Sequence, residues 1–145
     1  MNYLLSIWSY PISFSLTLLT GLLLLWQYAG PKGTLGHVVR WAAALFLSVF
    51  VVYMNTVTVL NLPPGPITNP WHIRLMGFHQ NVGLIYFALM ALMPLFGGSL
   101  MLAMRLRWRK ISALRALHKW AAYAAGACWL VSNIASEIGS RIPRV

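Results

Sequence analysis

Four long apolar stretches dominate the chain, over residues 4–28, 37–60, 72–102 and 117–138, with short polar or proline- and glycine-containing segments between them. About 20 apolar residues suffice for a helix to cross the hydrocarbon core of a bilayer, so each stretch reads as a membrane span. The pattern predicts an all-α fold, an integral membrane four-helix bundle forming a single domain over residues 1–145. The connectors carry the expected breakers. Gly30-Pro31-Lys32-Gly33 reads as a tight turn and Asn61-Leu62-Pro63-Pro64-Gly65-Pro66 as an irregular loop. Asn69-Pro70 restarts a helix, with Asn as N-cap and Pro at the first helical position, where its missing N–H costs nothing. The third helix therefore includes His72, and Pro94 with Gly97-Gly98 predicts a kink in its far half.

Composition strengthens this reading. Of 145 residues, 59% are hydrophobic and 8% charged, and Glu137 is the single acid; a soluble domain has about 25% charged residues. The net charge of +10 does not point to nucleic acid, because Arg105, Arg107, Arg109, Lys110, Arg115 and Lys119 cluster at one connection and the start of the helix after it. Together with Lys32 and Arg40 they outnumber Arg74, Arg141 and Arg144 on the other side. By the positive-inside rule the two basic loops are cytoplasmic and both termini outside, as in a bacterial inner membrane. A lone cysteine, Cys128, excludes a disulfide framework or thiolate metal site. The first stretch lacks a basic lead and a cleavage site and reads as a retained span.

Ionisable groups inside spans are costly and usually have a function, which directs attention to the histidines. His37 and His118 open the second and fourth spans, which run in the same direction. Each precedes a tryptophan, Trp41 or Trp120, so the two imidazoles fall at similar depth. A bis-imidazole haem needs such a pair. Small residues follow, Ala44 on one helix and Ala122 and Ala125 on the other, and would let a porphyrin approach closely. Arg40, Arg115 and Lys119 lie within a turn of the ligands and suit the propionates. The bland alternative is a pair of interfacial histidines that bind nothing.

His79 belongs to the opposite face, followed by Gln80 and Asn81, with Gly83 one turn on leaving room for a flat ligand. His72 lies two turns back, ~10.5 Å along the axis, too far to share an iron. With Asn55, Thr58, Ser132, Asn133, Ser136 and Glu137, His79 suits a quinol headgroup, whose oxidation needs proton acceptors. Helix–helix hydrogen bonding by these polar residues is the competing account.

The segments Phe78-His79-Gln80-Asn81-Val82-Gly83 and Leu117-His118-Lys119-Trp120 resemble the histidine-led spans of small transmembrane b-type cytochromes, in the broad sense of cytochrome b561 and the ferric-reductase-like membrane proteins. The resemblance covers about residues 36–133. It implies haem b between His37 and His118. The family's usual second pair would need a further histidine to match His79, and this chain has none. The expectation is an electron-transfer component rather than a stand-alone enzyme, with one haem b, room for a second through His79, and a quinone site. Its partners would be the lipid bilayer and other redox subunits or an extrinsic cytochrome at the outer face. A cofactor-free subunit of a membrane complex and a small proton-coupled transporter using His79 and Glu137 are the alternatives.

Overall fold

A computed structural model describes the backbone of residues 2–31, 35–60, 66–108 and 111–145, and side chains within these from residue 11 onward, except 58–60. Lys32 and Gly33, the 61–65 part of the expected loop, Thr58, Arg109 and Lys110 lie outside the described residues or side chains. The described chain is all α: α1 (Asn2–Ala29), α2 (Leu35–Leu60), α3 (Pro70–Arg105) and α4 (Ile111–Arg141). The first three are long and apolar enough to cross a membrane, so the chain is an integral membrane protein. α4 has the length, at 31 residues, but is more polar.

Two compact units divide the chain, residues 1–65 and 66–145. Each is a helical hairpin. In the first, Ser13 donates to Asn55 Oδ1 at 2.6 Å near one end, and Gln27 meets His37 near the other. These contacts fix an antiparallel pairing of α1 with α2. Its seam is mostly small and polar: Ser13, Thr20 and Gly21 on α1 are buried together with Leu24, as are Ala44 and Ser48 on α2. Thr17, Thr20 and Ser48 return their hydroxyl protons to carbonyls four residues back, so hydroxyls sit in an apolar medium without unmet donors. The turn requires glycine at position 30. A Cβ there would lie 2.8 Å from the Trp26 carbonyl oxygen and 3.1 Å from the Arg40 guanidinium.

The second hairpin pairs large with small. Buried α3 residues are His72, Tyr86, Met90, Met93 and Ala103; those of α4 are Ala121, Ala125, Ser132, Ala135 and Gly139. The α4 set steps by three, four or seven, the period that keeps one seam facing a partner helix. A Cβ at Gly139 would meet Met76, one at Gly83 would meet Ser132 and one at Gly97 would meet His118, so these pairs face each other. Met76 and Gly97 are 21 residues apart, as are His118 and Gly139, so the register holds over about 31 Å of helix. That matches the hydrocarbon core of ~30 Å. α4 therefore accompanies α3 across a membrane's thickness despite its lower hydropathy.

Both ends of this hairpin are finished by the chain itself. Asn69 caps α3, its side chain accepting from the Trp71 amide at 3.1 Å with Pro70 at the first helical position, as the sequence predicts. The tail after α4 folds back, and the Arg144 carbonyl accepts from the amides of Thr68 and Asn69 at 2.8 and 3.0 Å. At the other end α3 closes with Trp108 N–H on the Ala103 carbonyl and Arg107 N–H on that of Met104. Arg107 itself is left-handed, with φ of 52°. α3 runs through Pro94 as one helix. α4 starts at Ile111, six residues before the expected span, because Ala113, Leu114, Arg115 and Ala116 are good helix formers whatever their polarity.

Candidate functional site

His79 is tied to α4 through both its ring and its backbone carbonyl. Its Nδ1 lies 2.8 Å from the Ser132 carbonyl oxygen and 2.8 Å from the Ser132 hydroxyl. A carbonyl only accepts, so Nδ1 carries the proton. The Ser132 hydroxyl then donates to the His79 carbonyl at 3.0 Å. Every proton in this exchange has an acceptor, and the imidazole keeps its lone pair on Nε2. Holding Nδ1–H on a backbone carbonyl is the arrangement that fixes the tautomer of metal-ligating histidines. His72 repeats it, with Nδ1 3.2 Å from the Ile142 carbonyl, though it is buried where the tail returns. Two such imidazoles, two turns apart on α3, each leave Nε2 as the unprotonated nitrogen.

Gly83 faces α4 at the level of Ser132: a Cβ there would meet the Ser132 hydroxyl at 3.4 Å, an ordinary contact. Three other residues of the expected polar pocket have described partners. Asn133 donates to the Trp129 carbonyl at 2.7 Å, and Asn55 accepts from Ser13. Glu137 takes both Nε and a terminal nitrogen of Arg141 at 3.0 and 2.6 Å, on the exposed side of α4. Within the second hairpin, the described contacts join His79 and Ser132 directly and pair Asn133 and Glu137 with residues of α4 itself.

His37 is the third residue of α2, and its Nε2 lies 3.3 Å from the Gln27 amide nitrogen, which also donates to the His37 carbonyl at 3.0 Å. Gln27 Nε2 is a donor, so here Nε2 of His37 acts as the acceptor. An iron bound through that nitrogen would displace Gln27. Arg40 completes the turn: it donates to Gln27 Oε1 at 3.3 Å and to the Pro31 carbonyl at 2.9 Å, and stacks 5.2 Å over the Trp26 ring. The cation expected on a propionate thus holds α1 to α2. One turn past His37, the Trp41 indole N–H is buried and meets no acceptor among the described residues.

His118 does not open α4. It is the eighth residue, two turns in, with its ring Cε1 3.9 Å from a Cβ placed on Gly97. The helix begins earlier than the hydropathy does, which moves the imidazole inward. Arg115 is exposed, with its nearest described acceptor the Met104 thioether at 3.8 Å, and Lys119 lies 5.6 Å over the Tyr123 ring. Within the second hairpin His118 is level with Gly97, 18 residues beyond His79 on α3, or about 27 Å. These two cannot share an iron.

Sequence reasoning missed Gln27 and Ser132's direct role. Gln27 is a lone amide at the end of an apolar run, and Ser132 sits 53 residues from His79; only the antiparallel register joins them. No protein-family model matches the chain, and neither does any curated protein or solved structure.

Proposed function

We propose that this chain is a membrane-embedded b-type cytochrome, an electron-transfer subunit of a larger redox complex, linked to quinol or to a protein donor at its outer face. The reading places the basic connections in the cytoplasm of a bacterial cell and both termini outside. The observation that carries it is His79: a half-buried imidazole inside an apolar helix, with Nδ1–H spent on the Ser132 carbonyl at 2.8 Å and Nε2 left as acceptor.

The donor chemistry fits the group. Imidazole Nε2 is the common axial donor to haem iron, and the buried Trp41 N–H one turn from His37 is a donor suited to a carboxylate. His37 and His118 would hold the haem, and His79 would serve a second redox or quinone site. Haem b held by two imidazoles supplies a one-electron couple with no open position for oxygen. The chain's own part is to hold the His79 ring in one tautomer, to keep water away with apolar helices, and at His79 to take a quinol hydroxyl proton on Nε2. Ser132 then stabilises the imidazolium, because its carbonyl already faces Nδ1–H.

A second reading has its own support. His37, His72 and His79 each bond within their own hairpin, which is also what helix-packing histidines do in a cofactor-free subunit. The reduced-minus-oxidised spectrum of protein purified from haem-replete cells separates the two. The cytochrome reading expects a sharp b-type α-band; protein that is inserted, helical and colourless overturns it.

A further inference from the structure

The turn between α3 and α4 concentrates positive charge and leaves it without an internal counter-charge. Arg105, Arg107, Arg115 and Lys119 are all exposed. Arg115 and Lys119 stand one turn apart on α4, a like-charged spacing that disfavours the helix. α4 has no acid in its first turn, where a carboxylate would ordinarily offset the positive end of the helix dipole. The chain's one acid, Glu137, is 26 residues beyond Ile111 and paired with Arg141. At ~39 Å along the helix it lies several screening lengths away. Arg107 adds a second mark. It occupies the left-handed position after the α3 cap, where glycine is favoured, so the fold tolerates backbone strain to keep a cation there. Beside it, Leu106 and Trp108 are 65% and 62% exposed, apolar and aromatic groups of the kind that seat in the interfacial layer.

We propose that this turn is a binding site for anionic phospholipid headgroups, with Arg105, Arg107, Arg115 and Lys119 meeting the phosphate and Leu106 and Trp108 inserting beside the acyl chains. Exposed cations alone would serve an acidic protein equally. The adjoining apolar pair, at the end of a hairpin as long as the hydrocarbon core is thick, favours lipid. Each basic residue near an anionic leaflet contributes about a fivefold preference. This inference stands independently of any haem.

The test uses the full chain reconstituted in an equimolar mixture of phosphatidylglycerol and phosphatidylcholine, with the lipid that stays bound after gentle extraction counted by mass spectrometry. Phosphatidylglycerol should be enriched over phosphatidylcholine, and excess inorganic phosphate should not compete it away. Replacing Arg105, Arg107, Arg115 and Lys119 together by Gln should abolish the enrichment. Arg107→Gly should lower it ~5-fold while relieving the left-handed strain, so this variant keeps the test sound if the fourfold variant misfolds. A control with Arg74→Gln and Arg144→Gln, at the other end of the hairpin, should retain it. Equal retention of the two lipids, which would leave the cations for an acidic protein partner, overturns the proposal. So do enrichment unchanged in Arg107→Gly, displacement by inorganic phosphate, and loss in the control alone.

Discussion

Ser132→Ala and His79→Leu separate two functions that meet in one contact. The alanine removes the hydroxyl's 3.0 Å bond to the His79 carbonyl but leaves the Ser132 carbonyl on Nδ1. The His79 carbonyl keeps its helical partner, since α3 continues past Gly83. What is lost is one interhelical hydrogen bond, which in membranes averages ~0.6 kcal/mol and reaches ~1.7 kcal/mol. His79→Leu removes the ring from both acceptors while filling volume. Read by SDS-driven unfolding in mixed micelles, the loss of stability in Ser132→Ala should fall between those values. The redox consequence should be unequal. Ser132→Ala keeps the tautomer and should leave quinol-linked reduction within about threefold, the factor that ~0.6 kcal/mol represents. His79→Leu deletes the proton acceptor and should slow that step by ~100-fold or more. Two outcomes refute the reasoning. A Ser132→Ala stability indistinguishable from the parent's would mean that the hydroxyl's bond does not join the helices. Equal slowing in both variants would mean that the hydroxyl, not the carbonyl, sets the ring.

Three further predictions follow from other elements. His37→Ala and His118→Ala should each abolish the α-band while the protein remains inserted; normal spectra in both remove them as ligands. Gly139→Leu, whose Cβ would sit 3.0 Å from the Met76 sulfur and 3.4 Å from Leu75 Cβ, should destabilise the second hairpin by ~1–3 kcal/mol. Gly139→Ala should cost less, because a thioether end can move; the same SDS titration ranks them. A cysteine at Ser112 should resist a membrane-impermeant thiol reagent in intact cells, while one at Ile67 should react, and the reverse pattern inverts the proposed orientation.

Hydropathy was enough to find all four helices, and Asn69-Pro70 was enough to place the start of α3, because a side-chain cap and a proline act locally. The start of α4 was hidden by the same logic. Arg115 and Ser112 read as loop by polarity, yet Ala113, Leu114, Ala116 and Leu117 favour helix, and propensity decided. The candidate site was less legible because its defining contacts are non-local. His79 was visible as a polar residue in an apolar helix, but nothing near it in the sequence names Ser132. Arg40 looked like a propionate partner from its distance to His37; its bonds to Gln27 and Pro31 depend on how tightly a short turn closes at Gly30.

The pairing of bulky α3 with slender α4 implies opposite substitution rules for two helices that touch along one line. At Ala121, Ala125, Ser132, Ala135 and Gly139 there is a ceiling: any side chain much larger than serine must push the helices apart. At Tyr86, Met90 and Met93 there is a floor: smaller residues leave voids that lipid tails cannot enter. A saturation screen for membrane insertion and folding should therefore score the two helices as mirror images in side-chain size, with tolerance falling as volume rises on one and as it shrinks on the other.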